Sequence, residues 1–359
     1  MEKKKILIVD DSALMRKVLC DIILSDEHFT IIKEACDGLE ALNYVLDNLS
    51  NIDAIVTDIN MPKMSGLEFL EVLEKNRVKI PILLVSSLAK EGAKETVRGL
   101  ELGAFDFVTK PTSMAETRSN NFKDEVLKKL CYAVKVKVDT IIRSSSPMNP
   151  KVANASRRPH KKTPITEKKL VVIVSSTGGP RALQSVITLL PKSLPCPVLL
   201  VQHMPEGFTE SLAQRLDQLS PINVKEASDG DVLQKGTVYI AKGGSQMRLK
   251  KTGQLYTLSV DKNEPARAGL KPCGDILLES LVETDFAEYI CVVLTGMGGD
   301  GTLGILKLCD CKNVCVLAQD EKTSTVYGMP RVVYEAGLTN EVLPLGEITS
   351  AIIKYVEGK

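Results

Sequence analysis

The stretch VVIVSSTGGPRAL, residues 171–183, contains the change from strand to helix on which our interpretation of the fold depends. Its first four residues are apolar and β-branched, which is typical of a buried parallel strand. Two serines, a threonine and two glycines follow, and Pro180 is a favoured residue of a first helical turn. The pattern predicts a strand–turn–helix unit with small hydroxyl groups at the carboxyl end of the strand.

Three roles for these hydroxyl groups are consistent with the sequence. A serine or Thr177 could cap the helix by accepting backbone N–H bonds, or the glycine-rich turn could hold a phosphate. The phosphate signal is weak because neither GxGxxG nor GKS/GKT is present. In the third interpretation Ser176 is a nucleophile above a sheet, although Val174 stands at the first glycine of the G-x-S-x-G elbow.

Alternating strand and helix patterns extend from this unit in both directions. Downstream, strands are predicted at 170–174, 197–202, 237–241, 290–295 and 313–318, with helices at 180–190, 208–219 and 275–283. Upstream, strands are predicted at 6–9, 30–32, 54–57, 82–85 and 105–108, with helices at 38–49, 66–75 and 121–142. This alternation predicts two α/β domains: a (βα)5 doubly wound parallel sheet, then a second doubly wound sheet. Residues 238–260, with their Gly-rich and Lys-Thr-Gly turns, predict a β-hairpin.

The overall composition fits an ordinary globular chain of 359 residues, which suggests about two domains. The formal net charge of +1 gives no strong field toward nucleic acid, and no apolar run is long enough to span a membrane. Scattered cysteines and the lack of a signal peptide favour a cytoplasmic protein with reduced thiols. We expect a monomer that neither binds nucleic acid nor inserts into a membrane.

A basic segment at 144–167 separates the two predicted domains. It is rich in Ser, Pro, Asn and Lys, and apolar periodicity disappears there. This composition predicts a flexible, solvated linker, with a docking segment for an acidic partner as the alternative.

Acidic and polar residues follow the predicted strands of the first domain where each strand ends. Asp10 and Asp11 come after the first strand, Asp58 after the third, and Ser86 and Lys110 after the fourth and fifth. Because ligands of open α/β sheets bind at the carboxyl ends of the strands, we expect these side chains to converge. Clustered carboxylates need a neutralising cation, and Mg²⁺ prefers such oxygen ligands. A metal-bound carboxylate can then act as a nucleophile.

The first domain, predicted at 1–143 with a C-terminal helix, resembles the receiver domain of two-component response regulators. The resemblance implies that Asp58 accepts a phosphoryl group from a histidine kinase. It also implies that Ser86 and Lys110 contact this group and that Phe107 is an aromatic switch. The Mg²⁺ ligands that it implies are Asp10, Asp11, Asp58 and the backbone carbonyl of Asn60.

A nucleophilic serine in the second domain needs a base, an orienting acid and donors to an oxyanion. His203 follows one predicted strand, and Asp300 follows another within the glycine-rich segment LTGMGGDG. The remaining histidines are poor bases for this site because His28 lies in the first domain and His160 in the linker. At three strand ends of one sheet, Ser176, His203 and Asp300 can meet although they are far apart in sequence.

The motifs STGGP, QHMPEGF, LTGMGGDG and TVYGMPR, after a receiver pattern and a linker, resemble the CheB family of chemotaxis protein-glutamate methylesterases. The resemblance covers nearly the entire chain. It implies that Ser176 is the nucleophile, His203 the general base and Asp300 the acid that orients His203. It further implies that Thr177 lines the site and that the backbone near Met297 donates to the oxyanion.

The resemblance also implies the reaction of the second domain, predicted at 168–359. The substrates are glutamyl methyl esters on methyl-accepting chemotaxis receptors, with glutamine deamidation as a second activity. No cofactor is expected in this domain. The unphosphorylated receiver is expected to block Ser176, and phosphorylation of Asp58 to release it.

The sequence departs from the family pattern at positions that would form the wall of the site: Val174, Gln246, Leu270, Lys271, Cys273 and Gly299. Lowered activity or a changed protein substrate is therefore an open alternative. Other function classes compatible with the chain are a DNA-binding response regulator, a nucleotide-binding module and a phosphorylation-dependent scaffold.

Overall fold

In a computed structural model, the described residues are 2–111, 113, 120–135 and 168–358. The chain divides into two compact units, Met1–Ser145 and Ser146–Lys359. The predicted basic linker at 144–167 lies outside the described residues. In the part of the chain that is described, no helix is both long and apolar enough to cross a membrane.

The first unit is built on a parallel sheet whose strands are β1 (Lys4–Val9), β2 (Phe29–Ala35), β3 (Ala54–Asp58), β4 (Ile82–Ser86) and β5 (Asp106–Thr109). Its described helices are α1 (Ala13–Leu24), α2 (Gly38–Asp47), α3 (Gly66–Lys75), α4 (Lys90–Glu101) and α5 (Asn120–Ala133). The strand order is β2-β1-β3-β4-β5, which confirms the predicted (βα)5 sheet. The order reverses between β1 and β3, so their carboxyl ends flank the point where such sheets bind ligands.

The second unit contains a larger parallel sheet. Its strands are β6 (Lys169–Ser175), β7 (Val198–Gln202), β8 (Asn223–Glu226), β9 (Thr237–Ile240), β12 (Glu288–Val293), β13 (Val314–Gln319) and β14 (Glu341–Leu343). The hairpin strands are β10 (Gln246–Thr252) and β11 (Leu255–Asp261). The helices are α6 (Gly179–Ile187), α7 (Phe208–Leu219), α8 (Gly274–Ser280), α9 (Thr302–Cys309), α10 (Met329–Glu335) and α11 (Leu345–Glu357).

Strand β6 lies at the centre of this sheet, whose order is β14-β13-β12-β6-β7-β9-β8. Every residue of β6 is buried, as expected for a parallel strand covered on both faces. Met247 and Leu249 of the hairpin join the same core cluster as Val172 and Val174, so the hairpin covers part of one face. The central position of β6 places residues 175–178 between the ends of two neighbouring strands.

Several predicted boundaries differ from the structure. The short strands β8 and β14 were not predicted, because four and three partly polar residues at sheet edges carry little apolar signal. Residues 238–240 were included in both the strand predicted at 237–241 and the hairpin predicted at 238–260; they belong to β9 of the parallel sheet, as the first prediction has it. The predicted helix 275–283 ends in a 3-10 turn, Leu281–Glu283.

The helix predicted at 121–142 is also shorter than expected. It ends at Ala133, and Lys135 takes a left-handed conformation with φ of 55°, which an α-helix does not accommodate. Residues 136–142 of that prediction lie outside the described residues.

Candidate active site

Strand register places Ser176 between the carboxyl ends of β7 and β12. Ser175 pairs with Gln202 in the β6–β7 register, and the N–H of His203 donates to the carbonyl of Ser175 at 3.1 Å. On the other side, the N–H of Ser176 donates to the carbonyl of Thr295 at 3.0 Å. Ser176 and His203 are therefore the first residues beyond two adjacent strands, at the same edge of the sheet.

Asp300 joins this edge through a direct contact with the imidazole. Its Oδ2 accepts from His203 Nε2 at 2.7 Å and from the N–H of Gly274 at 2.5 Å. Its Oδ1 accepts from the N–H of Asp275 at 3.0 Å and from Cys273 Sγ at 3.1 Å. Each oxygen of this buried carboxylate accepts two hydrogen bonds, so the orientation of the Asp300 side chain is fixed.

The electrostatics of Asp300 follow from these contacts. Burial acts to raise the pKa of its carboxyl, but the hydrogen bond and charge of His203 and the N–H of Asp275 outweigh burial. The pKa therefore lies well below its ordinary value, and Asp300 is ionised at neutral pH. An ionised partner at Nε2 favours the tautomer with the proton on that nitrogen, which leaves Nδ1 of His203 as the basic nitrogen.

The turn after β6 requires residues without side chains. Gly178 has a φ of 75° and a Cβ there would lie 2.3 Å from Thr325 Oγ1. Gly178 is the N-cap of α6 and has no side chain to cap this helix, so none of the three preceding hydroxyl residues occupies the N-cap position. Pro180 does occupy the first turn, as predicted. The buried Thr177 contributes its carbonyl, which accepts from Thr295 Oγ1 at 2.9 Å.

A backbone donor lies close to the predicted nucleophile. A Cβ on Gly296 would lie 2.7 Å from Ser176 Cβ, so the loop after β12 passes directly beside the serine. Within the described part of the chain, the N–H of Met297 has no protein acceptor. Gly298 has a φ of 83°, a conformation that turns successive N–H groups toward one side. The loop can therefore offer an N–H group to an oxyanion.

The first unit holds an acid cluster at the carboxyl ends of β1 and β3. Lys110 Nζ lies 2.7 Å from Asp58 Oδ2 and 3.0 Å from Asp10 Oδ2. The second oxygens of the two carboxylates accept from backbone N–H groups, Asp58 Oδ1 from Ile59 and Asp10 Oδ1 from Ser12. Burial and the charge of Asp58 raise the pKa of Asp10, against the lowering effect of Lys110.

The donor set in this pocket fits a hard divalent cation. Carboxylate oxygens of Asp10, Asp11 and Asp58 lie within 4.8 Å of one another. Asp10 Oδ2 is buried and has no hydrogen-bond partner among the described residues, although the Lys110 ammonium lies 3.0 Å away. A buried oxygen without a hydrogen bond is costly unless a cation or water satisfies it. The pocket is consistent with a Mg²⁺ site.

Two further residues predicted for the site of the first domain lie on the expected strands. The Ser86 hydroxyl is buried at the end of β4 and hydrogen-bonds Thr96 Oγ1 at 2.5 Å on α4. Phe107 is buried on β5, with Lys129 Nζ 5.1 Å from its ring centroid. The side chain of Asn60 is engaged elsewhere, since its Nδ2 donates to Glu95 at 2.9 Å.

Comparisons with known proteins find relatives for both the first and the second domain. A family profile described as CheB methylesterase matches residues 171–352, and one described as response regulator receiver domain matches residues 6–120. A protein-glutamate methylesterase/protein-glutamine glutaminase of Geobacillus kaustophilus (strain HTA426) is 40% identical over 357 residues, covering 99% of each chain. A protein of the same description from Pyrococcus horikoshii is 38% identical over 355 residues, covering 99% of this chain and 94% of the other.

The chain belongs to the CheB family of protein-glutamate methylesterases with an N-terminal receiver domain. The crystal structure of the Thermotoga maritima CheB methylesterase catalytic domain matches with a TM-score of 0.51 and 43% identity, covering 53% of this chain and 99% of that chain. This CheB protein is therefore a methylesterase/glutaminase of chemotaxis adaptation. Its receiver implies a kinase as phosphodonor, and its family implies a chemoreceptor substrate.

Of the residues that were predicted to form the wall of the site, Gln246, Leu270 and Cys273 are connected by hydrogen bonds. Gln246 is fully buried; its Nε2 donates to the carbonyls of Pro265 and Leu270, and its Oε1 accepts from the N–H of Cys273. Cys273 in turn donates to Asp300. Gln246 thus helps to fix residues 273–275, whose donors hold Asp300.

Sequence reasoning missed Asp275 and Gln202, and it named Cys273 as a wall residue without predicting its contact with Asp300. Cys273 and Asp275 surround Asp300, and their distance from it in sequence gave no sign of contact. Burial and the charge of Asp300 raise the pKa of Asp275 to about 6. Gln202 bridges Ser176 and His203, and only its position directly before His203 could have drawn attention to it.

Proposed function

We propose that Ser176, His203 and Asp300 are the nucleophile, general base and orienting acid of a hydrolytic triad. The observation that carries this assignment is the 2.7 Å contact between His203 Nε2 and Asp300 Oδ2 at the strand edge that also holds Ser176. The assignment fits the ester hydrolysis of the CheB family.

The reaction proceeds in two halves. His203 Nδ1 accepts the proton of the Ser176 hydroxyl as its oxygen attacks the ester carbonyl, and the resulting oxyanion is stabilised by the N–H of Met297. Collapse of this intermediate breaks the ester C–O bond, and His203 returns the proton to methoxide, so methanol leaves. Water, deprotonated by His203, then attacks the acyl-enzyme. Collapse of this second intermediate breaks the bond to the Ser176 oxygen, to which His203 returns the proton, and a free glutamate leaves. Asp300 holds the imidazole and stabilises its charged form throughout.

The decisive experiment measures methanol release from methylated receptor membranes. Ser176→Ala is expected to lower kcat by about 10³-fold or more, because removal of a triad serine leaves only binding and oxyanion stabilisation. Ser185→Ala, an exposed serine on α6, serves as the matched control and is expected to keep the parent rate. Retention of activity in Ser176→Ala would exclude the triad.

We also propose that Asp58 is the phospho-acceptor of the receiver. Asp58, Asp11 and the carbonyl of Asn60 would hold Mg²⁺, with Asp10 supporting it through water. Bound Mg²⁺ would neutralise charge on the incoming phosphoryl group. Lys110, already 2.7 Å from Asp58, would hold a phosphoryl oxygen.

Two more receiver residues complete this proposal. The Ser86 hydroxyl would leave Thr96 to contact the phosphoryl group, and Phe107 would change its rotamer. The buried position of both side chains in the described receiver supports a role coupled to the pocket.

Phosphorylation of Asp58 is proposed to activate the esterase by releasing the catalytic face from the receiver. Asp58→Asn is expected to abolish stimulation of methanol release by a small-molecule phosphodonor. The exposed Asp47→Asn is the control and should keep full stimulation. Unchanged stimulation in Asp58→Asn would refute this regulation.

The partners follow from the same proposal. Methyl-accepting receptors would be the substrate, a histidine kinase the phosphodonor, and the chain would act as a cytoplasmic monomer without nucleic acid. Light scattering at several protein concentrations tests the monomer, since a concentration-dependent mass would contradict it.

A further inference from the structure

A buried amide connects the backbone of the nucleophile to that of the base. Gln202 is the last residue of β7 and directly precedes His203. Its side chain is 2% exposed. Nε2 donates to the carbonyl of Ser176 at 3.0 Å and to the carbonyl of His203 at 3.2 Å. Oε1 accepts from the hydroxyl of Ser175 at 2.7 Å.

The turn after β6 is shaped around this amide. A Cβ on Gly179 would lie 1.9 Å from Gln202 Oε1 and 3.1 Å from Ser175 Cβ. Any side chain at position 179 would therefore displace the amide. The carbonyl of Ser176, which Gln202 contacts, also accepts from the N–H of Gly179 at 2.7 Å, so the amide and the start of α6 hold the same peptide group.

Both donor hydrogens of the Gln202 amide and its acceptor oxygen have partners, so a single orientation satisfies them. The two carbonyls that it holds belong to the residues whose side chains must exchange a proton. Serine–histidine proton transfer is sensitive to small displacements, since a shift of about 1 Å can lower a rate by about 10²-fold.

We propose that Gln202, oriented by the Ser175 hydroxyl, is a positioning residue for ester hydrolysis that sets the spacing between Ser176 and His203. The proposal rests on the triad assignment made above. It also separates the two adjacent serines by function: Ser175 points into the protein and holds the amide, whereas the half-buried Ser176 lies at the sheet edge.

Two substitutions of Gln202 test this role in the full-length protein with methanol release as the assay. Gln202→Met keeps the length of the side chain and removes every hydrogen bond. It is expected to lower kcat by about 10²-fold with KM changed less than about twofold, because the residue does not face the substrate. An unchanged kcat in a folded Gln202→Met protein would overturn the proposal.

Gln202→Glu supplies a pH-dependent readout that a merely structural role does not give. When protonated, the acid can donate to one of the two carbonyls and accept from Ser175, so part of the rate is retained. When ionised, it faces both carbonyl oxygens without a donor hydrogen. We therefore expect kcat of Gln202→Glu to fall, relative to the parent, as pH rises. A constant ratio of the two rates across pH would contradict the proposal.

Ser175→Ala tests the coupling between hydroxyl and amide. It is expected to lower kcat by about tenfold, and the double variant Ser175→Ala/Gln202→Met is expected to be no slower than Gln202→Met alone, because both changes disrupt one unit. Multiplicative effects would refute the coupling. Gln214→Met, an exposed amide on α7, is the control for loss of an amide and should keep the parent rate.

These outcomes are distinguishable from failure of the triad. If Ser176→Ala keeps activity, the triad assignment is wrong whatever Gln202 does. If Ser176→Ala is inactive and Gln202→Met retains the parent kcat, the triad stands and the positioning role alone fails. Circular dichroism and the melting temperature establish which variants are folded, and Ser175→Ala still decides the question if Gln202→Met does not fold.

Discussion

Two buried aspartates at the carboxyl ends of parallel strands have opposite surroundings. Asp300 accepts four hydrogen bonds, two from the side chains of His203 and Cys273 and two from backbone N–H groups, and its pKa is depressed. Asp10 is fully buried as well, yet its Oδ2 makes no hydrogen bond and its pKa is raised by burial and by Asp58. Asp10 directly follows β1 and Asp300 lies in the loop between β12 and α9, and their neighbours determine what each can do.

The difference is consistent with the roles proposed above, in which Asp300 orients the base and Asp10 supports a bound metal. A carboxylate whose oxygens are all occupied stays ionised and fixed, which suits the task of holding an imidazole. A carboxylate with an unsatisfied buried oxygen beside a second acid favours binding of a cation. Asp10 is paired with Lys110 but lacks a hydrogen-bond donor at Oδ2, whereas each oxygen of Asp300 accepts two hydrogen bonds.

The largest expected effect is on catalysis. Asp300→Asn should lower kcat by about 10³–10⁴-fold, because an amide no longer favours the proton on His203 Nε2 and so leaves the wrong tautomer at Ser176. Methanol release measures this, with the exposed Glu321→Gln as control. A loss of less than tenfold would show that Asp300 is not needed to orient the base.

The same substitution should destabilise the second domain by about 2–4 kcal/mol, since in either orientation of the new amide its nitrogen would face one of two backbone N–H groups, that of Gly274 or that of Asp275. Because the folded pKa of Asp300 lies below the unfolded value of 3.8, its stabilisation is present above that pH and is lost as pH falls through the folded pKa. Denaturant unfolding of parent and variant at several pH values measures both. Equal stability at pH 7 would contradict the comparison.

Mg²⁺ should affect only the receiver. At ten times its Kd, a ligand of the folded state adds about 1.4 kcal/mol of stability. Scanning calorimetry with and without Mg²⁺ is expected to shift one transition upward, and Asp11→Asn should remove that shift. A shift of both transitions in Asp11→Asn would place the bound metal elsewhere.

Asp10→Asn is expected to give the smallest effect, and with the opposite sign to Asp300→Asn. Without Mg²⁺, removal of this charge should stabilise the receiver at pH 7 by about 1 kcal/mol, because the burial cost and the repulsion from Asp58 disappear. The raised pKa means that Asp10 contributes stability below its unfolded value of 3.8, which is lost as pH rises through the folded pKa. The advantage of the variant should therefore grow with pH. A destabilised variant would show that Lys110 outweighs both costs.

Much of this molecule follows from local patterns in the sequence. Runs such as residues 171–174 are apolar throughout because parallel strands are covered on both faces, so they predicted the sheets and their carboxyl ends. Position at those ends then predicted that Asp10, Asp58 and Lys110 lie together, and they do. The contact between His203 and Asp300 was predicted in the same way.

What the sequence left open depends on contacts between distant segments. Short edge strands such as β14 acquire their structure by pairing with a neighbour rather than from their own pattern. The sequence of residues 175–177 left caps, a phosphate loop and a nucleophile open, because a hydroxyl group can serve any of these roles. Only the packed structure shows Ser175 bound to Gln202 and four donors around Asp300. Residue types and the spacing of apolar residues determine which helices and strands form. The hydrogen-bond partners of a buried polar group depend instead on how those helices and strands pack together.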